Sequence, residues 1–483
     1  PPPLPPPPPR SVPVPLIFLL LDGARSDVFD APFAAGELPE LARLRSDGGL
    51  YPVTTAFPSV TGPAYAPFLT GRFPGPIGLP GLRWYDREHT RCRRPPHCRS
   101  YLGSEIRHVD GDVDASAPTL FELAPSRFAA MSMLARGATA REQMGRDARL
   151  LWRIARTHWR GDAAAWLDID RVVSLLARTH IAQRRPDVSF VALLGLDKTS
   201  HATGHTSPDA HHALRILDDL VGHVRGDLER AGRWESTHLW IGSDHGHSPV
   251  HTHDDLADAV RAMGDGHRVL AHPWVFTRRP DVAVMVSGNA MAHVYLEPAR
   301  RARPWWPSLR GRWSALADAL LERPAVDLLL LPHDARRCEV RGRGRGAALV
   351  ERVGMRFAYR PLTGDPLGLG EPPPLDDIEC HAASLPTDYP DALVQIAHLS
   401  GAPRAGDVIV SATRGWDLRA RYEPMPHVST HGALHREHML VPLMVNHPIA
   451  RTPRRTADVM PSALRALGLP QPPSIAFDGQ SFM

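Results

Sequence analysis

The chain has 483 residues, of which 43% are apolar and 22% charged. That balance is ordinary for a folded protein, excludes wholesale disorder, and at roughly 150 residues per domain leaves room for about three units. The formal charge is only +4, all but one of the 56 basic residues are arginine, and no basic block stands out, so there is no nucleic-acid-binding signature.

Residues 1–15 hold ten prolines and read as a disordered or polyproline lead rather than a domain. The run Leu16–Leu21 follows. It is far short of the roughly 18–20 apolar residues of a membrane span, and it ends in Asp22-Gly23 without a small-x-small cleavage site. It reads as a buried strand rather than the core of a signal peptide, so a cytoplasmic location is favoured over export. Further strand-like runs are 188–194, 239–242, 408–412 and 439–445. Leu214, Leu217, Leu220, Val221, Val224 and Leu228 recur at three- and four-residue spacing, which predicts an amphipathic helix leading into the 239–242 strand. Strand, helix and strand in repetition predict an α/β fold with a mostly parallel central sheet flanked by helices. Residues 248–425 break the pattern with a Gly/Arg-rich stretch at 341–346 and a Pro-rich one at 366–374. They predict an inserted α+β cap subdomain with antiparallel strands, leaving 16–247 and 426–483 as the core. The last segment returns to a helix, 457–467, and a turn at Asp478-Gly479. None of the four cysteines forms a CxxC pair; Cys92 and Cys98 would suit a local disulfide after export, or free thiols in a reducing compartment.

Histidine is abundant, at 26 residues, and several of these lie with aspartates at strand ends. Asp22 closes the first strand in LDGAR, Asp197 and His201 follow the run 188–194 in LDKTSHATGH, Asp244 and His245 sit in SDHGH, and His431 sits in STHG. The carboxyl ends of strands line the ligand crevice of an open α/β sheet. Aspartates and histidines gathered there suit divalent cations, because buried carboxylates are costly unless compensated. Each piece alone has a plain reading, Asp-Gly as a turn above all; their combination points to metal. In FPSVTGPAYAPFLTG, Thr61 and Gly62 precede Pro63, a residue favoured at the first helical position. Thr61 is thus expected at or near a helix N-cap, where free backbone N–H groups favour an anion. Opposite a metal pair, its hydroxyl is a candidate nucleophile.

Taken in this order, these motifs resemble the alkaline phosphatase superfamily, and within it the type I phosphodiesterase/nucleotide pyrophosphatase branch. The closing segment RTADVMPSALRALGL and DGQSF resembles the same branch, and the likeness covers roughly 15–247 and 426–483. The resemblance implies two divalent ions, normally zinc, with manganese as the alternative. It implies that Asp197, His201 and His431 hold one, and Asp22, Asp244, His245 and the Thr61 oxygen the other. Thr61 would attack phosphorus in line to give a phosphothreonine that water then releases, in a small-molecule phosphoester. Two positions depart from the branch. Ala64 and Leu82 stand where the branch usually has asparagines, so a phosphate donor is missing or supplied by Gly62 N–H, Tyr65, Arg83 or Lys198, the only lysine. His205, His247, His251 and His253 are extra to the pattern and read as supporting or exposed residues; Asn289 and His293 read as a structural pair. No Cys/Ser-x-Pro-x-Arg motif sits at the nucleophile, which disfavours sulfatase chemistry. Phosphodiester or nucleotide pyrophosphate hydrolysis is the leading expectation. A phosphomonoesterase or phosphonate hydrolase on the same site, a phosphotransferase, and a non-catalytic metal-binding protein are the alternatives.

Overall fold

The computed structural model describes residues 14–88, 98–146, 148–264, 266–272, 275, 277–419, 421, 423, 425–473 and 475–483. Cys92, and most of the proline-rich lead, lie outside them; Cys98, Cys338 and Cys380 are buried free thiols.

The first strand spans Leu16–Leu21, and all six residues are buried. A strand apolar on both faces suits the middle of a sheet covered on both sides. It pairs in parallel with Val188–Leu193 on one edge and His238–Gly242 on the other. The whole sheet has seven strands, in the order Gly49–Thr54, Leu440–Val445, His238–Gly242, Leu16–Leu21, Val188–Leu193, Arg127–Ala130 and Gln143–Met144. Only Leu440–Val445 runs against the rest. The expected mostly parallel sheet is therefore present, with one reversed strand that its apolar sequence does not distinguish from the others. Its flanking helices follow from the predicted periodicity: Leu214, Leu217, Leu220, Val221, Val224 and Leu228 all lie on the buried face of the helix Pro208–Arg230.

A second, eight-stranded sheet is built from segments between Val269 and Ala412. The Gly/Arg-rich stretch closes an antiparallel hairpin between Arg337–Gly342 and Gly346–Val353. Its strands alternate: Leu329 and Leu331 pack with Trp306, Trp313 and Leu320 of the helix Trp306–Glu322, while Leu328 and Leu330 pack with Leu393 and Ile396 of the helix Ala392–Ser400. Period-two burial on both faces makes this a layered α+β unit with its own core. Among the described residues no helix is long and apolar enough to cross a membrane.

Three adjacent parallel strands thus end on one side of the first sheet. Asp22 follows the central one, the helix Gly195–Thr203 follows its neighbour, and Asp244 and His245 follow the other. A small three-stranded sheet, with Ser248–His253 between Gly415–Asp417 and Ser429–Thr430, brings His431 to the same place.

Candidate metal centre

Asp197 and His201 occupy successive turns of the helix Gly195–Thr203, four residues apart and so on one face. Asp170, from the helix Ala163–Arg184, steadies the entry to that helix: its carboxylate accepts from Leu194 N at 3.0 Å and Gly195 N at 2.7 Å. Burial lifts the Asp170 carboxyl to about 7, against the pull of those two N–H groups. The sequence reading missed Asp170; the signal for it is an acid on the apolar stripe of Trp166, Leu167, Ile169 and Val173.

Asp197, His201, His247 and His431 form one buried group whose ligand atoms all lie within 4.8 Å of one another. His201 Nδ1 donates to the Ser429 carbonyl at 2.8 Å, and His431 Nδ1 to the Ser59 carbonyl at 3.0 Å. A carbonyl only accepts, so each Nδ1 carries a proton and each ring turns its Nε2 inward. Those nitrogens stand 3.3 and 3.6 Å from Asp197 Oδ1, and His247 Nε2 stands 2.9 Å from the same oxygen. Burial holds His431 and His247 well below the usual imidazole range. Burial also opposes the charge on Asp197, but Lys198 and His201 outweigh it and keep that carboxyl well below the usual carboxylate range. Three imidazoles around one carboxylate oxygen are a donor set that a divalent cation satisfies. His247 is therefore not an exposed residue but a member of this group. Gly23 makes room for it: with φ +81°, a Cβ there would lie 2.9 Å from His247 Nε2 and 3.0 Å from Asp197.

Asp22, Asp244 and His245 form a second buried group. His245 Nε2 lies 3.3 Å from Asp22 Oδ1 and 3.4 Å from Asp244 Oδ2, while its Nδ1 donates to the Gly246 carbonyl at 3.2 Å. Asp244 Oδ2 is buried without a hydrogen-bond partner. Burial and the neighbouring Asp22 charge push the Asp244 carboxyl well up. Burial opposes the charge on His245, but Asp244 and Asp22 outweigh it and carry the imidazole to about 9. Two carboxylates that repel one another, one with an orphaned oxygen, fit a second cation. The groups adjoin: the His245 and His431 rings stack at 3.6 Å and 5°.

Thr61 meets the second group. Its Oγ1 lies 3.1 Å from His245 Nε2 and 3.3 Å from Asp22 Oδ1. It does not itself cap a helix. Gly62, at φ +92°, holds the N-cap position of a single 3₁₀ turn, Pro63–Tyr65, which leads into the short helix Ala66–Thr70. So brief a helix contributes little end charge. The remaining substrate candidates separate. The Tyr65 hydroxyl is buried and donates to Asp22 Oδ2 at 2.9 Å, so it orients a carboxylate rather than facing a ligand. Lys198 Nζ sits 2.7 Å from Asp197 Oδ2 and so is committed to that acid. Arg83 is buried on the strand Arg83–Tyr85. Leu82 lies beside Gly62, where a Cβ would come 3.9 Å from its Cδ1. His205 is half-buried, and His251 and His253 are exposed; none joins either group. His293 is structural, held between the Pro80 carbonyl and Gly406 N.

The family model for type I phosphodiesterase/nucleotide pyrophosphatase matches residues 16–307, more than half of the chain. The chain belongs to that family. It is an enzyme of the metal-dependent phosphodiesterase/nucleotide pyrophosphatase type, and the two Asp/His groups suit that dependence. No curated protein matches the sequence. Among solved structures, phosphonoacetate hydrolase from Sinorhizobium meliloti 1021, in complex with phosphonoformate, aligns with a TM-score of 0.57 at 18% identity, covering 94% of this chain and 96% of that one. Murine ectonucleotide pyrophosphatase/phosphodiesterase 5, in an inactive form with AMP, aligns with a TM-score of 0.57 at 14% identity, covering 96% and 97%. The human counterpart gives 0.56 at 13%, with the same coverage. At these identities the likeness is one of fold, alkaline-phosphatase-like in all three.

Proposed function

We propose that the family member hydrolyses phosphodiester or nucleotide pyrophosphate bonds with Thr61 as the nucleophile, through a phosphothreonine. The observation that carries this reading is the Thr61 hydroxyl held 3.1 Å from His245 and 3.3 Å from Asp22, at the edge of paired buried Asp/His groups. Asp197, His201, His247 and His431 would hold one divalent ion, and Asp22, Asp244 and His245 the other; zinc or manganese suits the mixed oxygen and imidazole donors. Bound there, such ions supply charge neutralisation on phosphoryl oxygens and make the Thr61 hydroxyl more acidic.

The chain's own residues do the positioning. Tyr65 fixes Asp22, Lys198 fixes Asp197, and the Ser429 and Ser59 carbonyls fix the rotamers of His201 and His431. Thr61 Oγ forms the bond to phosphorus as the leaving alkoxide or phosphate departs on the opposite face. Water then cleaves the phosphothreonine, releasing a phosphomonoester from a diester. The segment 248–425 is assigned to selecting the substrate.

Hydrolysis of a phosphonate on the same constellation is the second reading, favoured by Leu82 where a phosphate-binding asparagine is expected and by the phosphonate ligand of one neighbouring structure. A panel of one diester, one monoester and one phosphonate, in zinc or manganese, separates them. With a diester, acid-quenched protein should show on the Thr61 peptide the mass of the phosphoryl group together with the ester arm it retains. Turnover without any adduct, and undiminished in Thr61→Ala, would refute the nucleophile.

A further inference from the structure

Arg83 stands out among the buried arginines. Elsewhere each such guanidinium has an acid: Arg87 lies 2.6 Å from Asp407, Arg99 lies 3.0 Å from Asp112, and Arg455 lies 2.6 Å from Asp391 and 2.7 Å from Asp377. Arg83, only 6% exposed, has no carboxylate within ion-pair distance among the described residues. Its backbone N–H donates to Ser287 Oγ at 3.1 Å and its Nη1 to the Val286 carbonyl at 3.2 Å. Its Nε is buried without a partner. An uncompensated buried charge is costly, whereas replacing such a group by a neutral one often stabilises a fold.

Among the described residues its surroundings do not supply the missing acid. The nearby charges are Arg419 and Glu423. Glu423 is already engaged, 3.2 Å from Arg419 Nε and 3.9 Å from His427 Nε2. Arg83 therefore lies near a carboxylate that Arg419 already holds. Burial and the like charge of Arg419 pull the Arg83 guanidinium down to about 9. The cluster adjoins the metal centre on two sides. The His427 ring lies 4.2 Å from the His201 ring, and Leu82, next to Arg83 in the chain, packs beside Gly62 of the nucleophile turn.

We infer that Arg83 is the anchor of an anion subsite beside the metal centre, and that the substrate carries a second negatively charged group besides the phosphoryl group attacked by Thr61. The group is an oxyanion, a carboxylate or a phosphate, which the guanidinium, lacking an acid of its own among the described residues, can bind by charge-assisted hydrogen bonds. This deepens the hydrolase reading above and rests on it.

Three 4-nitrophenyl phosphodiesters test it, differing only in a methyl, carboxymethyl or 2-phosphoethyl arm. The zinc-loaded wild type should prefer a charged arm by roughly 10- to 100-fold in kcat/KM, mostly through KM. The arm preferred tells carboxylate from phosphate. In Arg83→Gln the ratio of charged to methyl arm should fall to within about threefold of one, and Arg83→Lys should recover part of it. A ratio near one in the wild type, or an unchanged ratio in Arg83→Gln, overturns the subsite. Stability gives an independent reading, because removing an uncompensated buried charge should raise the thermal midpoint of ligand-free Arg83→Gln, whereas a guanidinium needed only for folding would make it fall. If no diester is turned over, the hydrolase reading fails while calorimetry still decides the subsite. Methylenediphosphonate should bind the wild type more tightly than methylphosphonate does, and that margin should vanish in Arg83→Gln. Persistence of the margin would overturn the subsite.

Discussion

Tyr65→Phe isolates the support of one candidate ligand. The phenol is fully buried and donates to Asp22 Oδ2 at 2.9 Å, while Asp22 Oδ1 faces Thr61 and His245. Burial and the Asp22 charge hold the phenol well above its usual range, so it stays protonated and remains a donor at any working pH. Phenylalanine keeps the ring and its contact with Phe190, at 6.0 Å between centroids, and removes only the hydroxyl. A hydrogen bond to a charged acceptor is worth about 1.5–3 kcal/mol. If that support is lost from the ion-bound state, affinity at the Asp22–Asp244–His245 group should fall about 10- to 150-fold, at 1.4 kcal/mol per factor of ten. Competition between the protein and a chromophoric zinc chelator measures both binding steps. The expected result is one weakened step and one unchanged step, because Tyr65 touches neither His201, His247 nor His431. Unchanged affinity at both steps, or an equal loss at both, would refute the argument that Tyr65 acts by fixing Asp22.

Four further expectations follow from the same geometry. Thr61→Ala should lower turnover at least about 1,000-fold while retaining metal by elemental analysis, and Thr61→Ser should keep part of the activity because it keeps the oxygen. His247→Ala should weaken ion binding at the Asp197 group about 10- to 100-fold, read by the same chelator competition, since His247 Nε2 lies 2.9 Å from Asp197 Oδ1. Exhaustive chelation should abolish turnover and lower unfolding free energy by about 4 kcal/mol for each site that had been loaded at 1,000 times its Kd, as followed by denaturant titration. Away from the site, His333, burial and Arg341 together leave Glu339 at about 2. A depressed carboxyl stabilises the fold above its unfolded pKa and loses that contribution as pH falls through the folded value. Glu339→Gln should therefore cost about 1–2 kcal/mol at pH 7, with the gap to wild type closing between about pH 4.5 and 2 in chemical denaturation.

Much of the fold was legible because the first sheet announces itself. Leu16–Leu21 is a short uninterrupted apolar run and Val188–Leu193 one broken only by Ser189, and each delivers an aspartate within a few residues of its end. The periodic helix Pro208–Arg230 was equally plain. The reversal of Leu440–Val445 was not, since strand direction is a property of the connection and not of the buried residues. Side-chain roles were less legible than side-chain identities. Tyr65 and Lys198 both looked available for substrate, but each turns to a carboxylate at hydrogen-bond distance. His247 looked like one of several surplus histidines, yet strand Ser248–His253 pairs with Ser429–Thr430 and draws it inward while His251 and His253 point to solvent. Such distinctions depend on pairings between segments that are remote in the chain.

That remoteness shapes how the centre comes into being. His201 takes its orientation from the Ser429 carbonyl, 228 positions away, and His431 pairs through an isolated bridge with Asn289 of the intervening region. Asp22, Asp244 and His245, by contrast, are all in hand once the chain has been synthesised just past its midpoint, to His245. A nascent chain stopped before the second sheet could offer a cation three donors but never the full Asp197 cluster. Closing that cluster requires loops of high contact order, which form late and slowly. The full Asp197 group is thus complete only once His431, near the end of the chain, is in place.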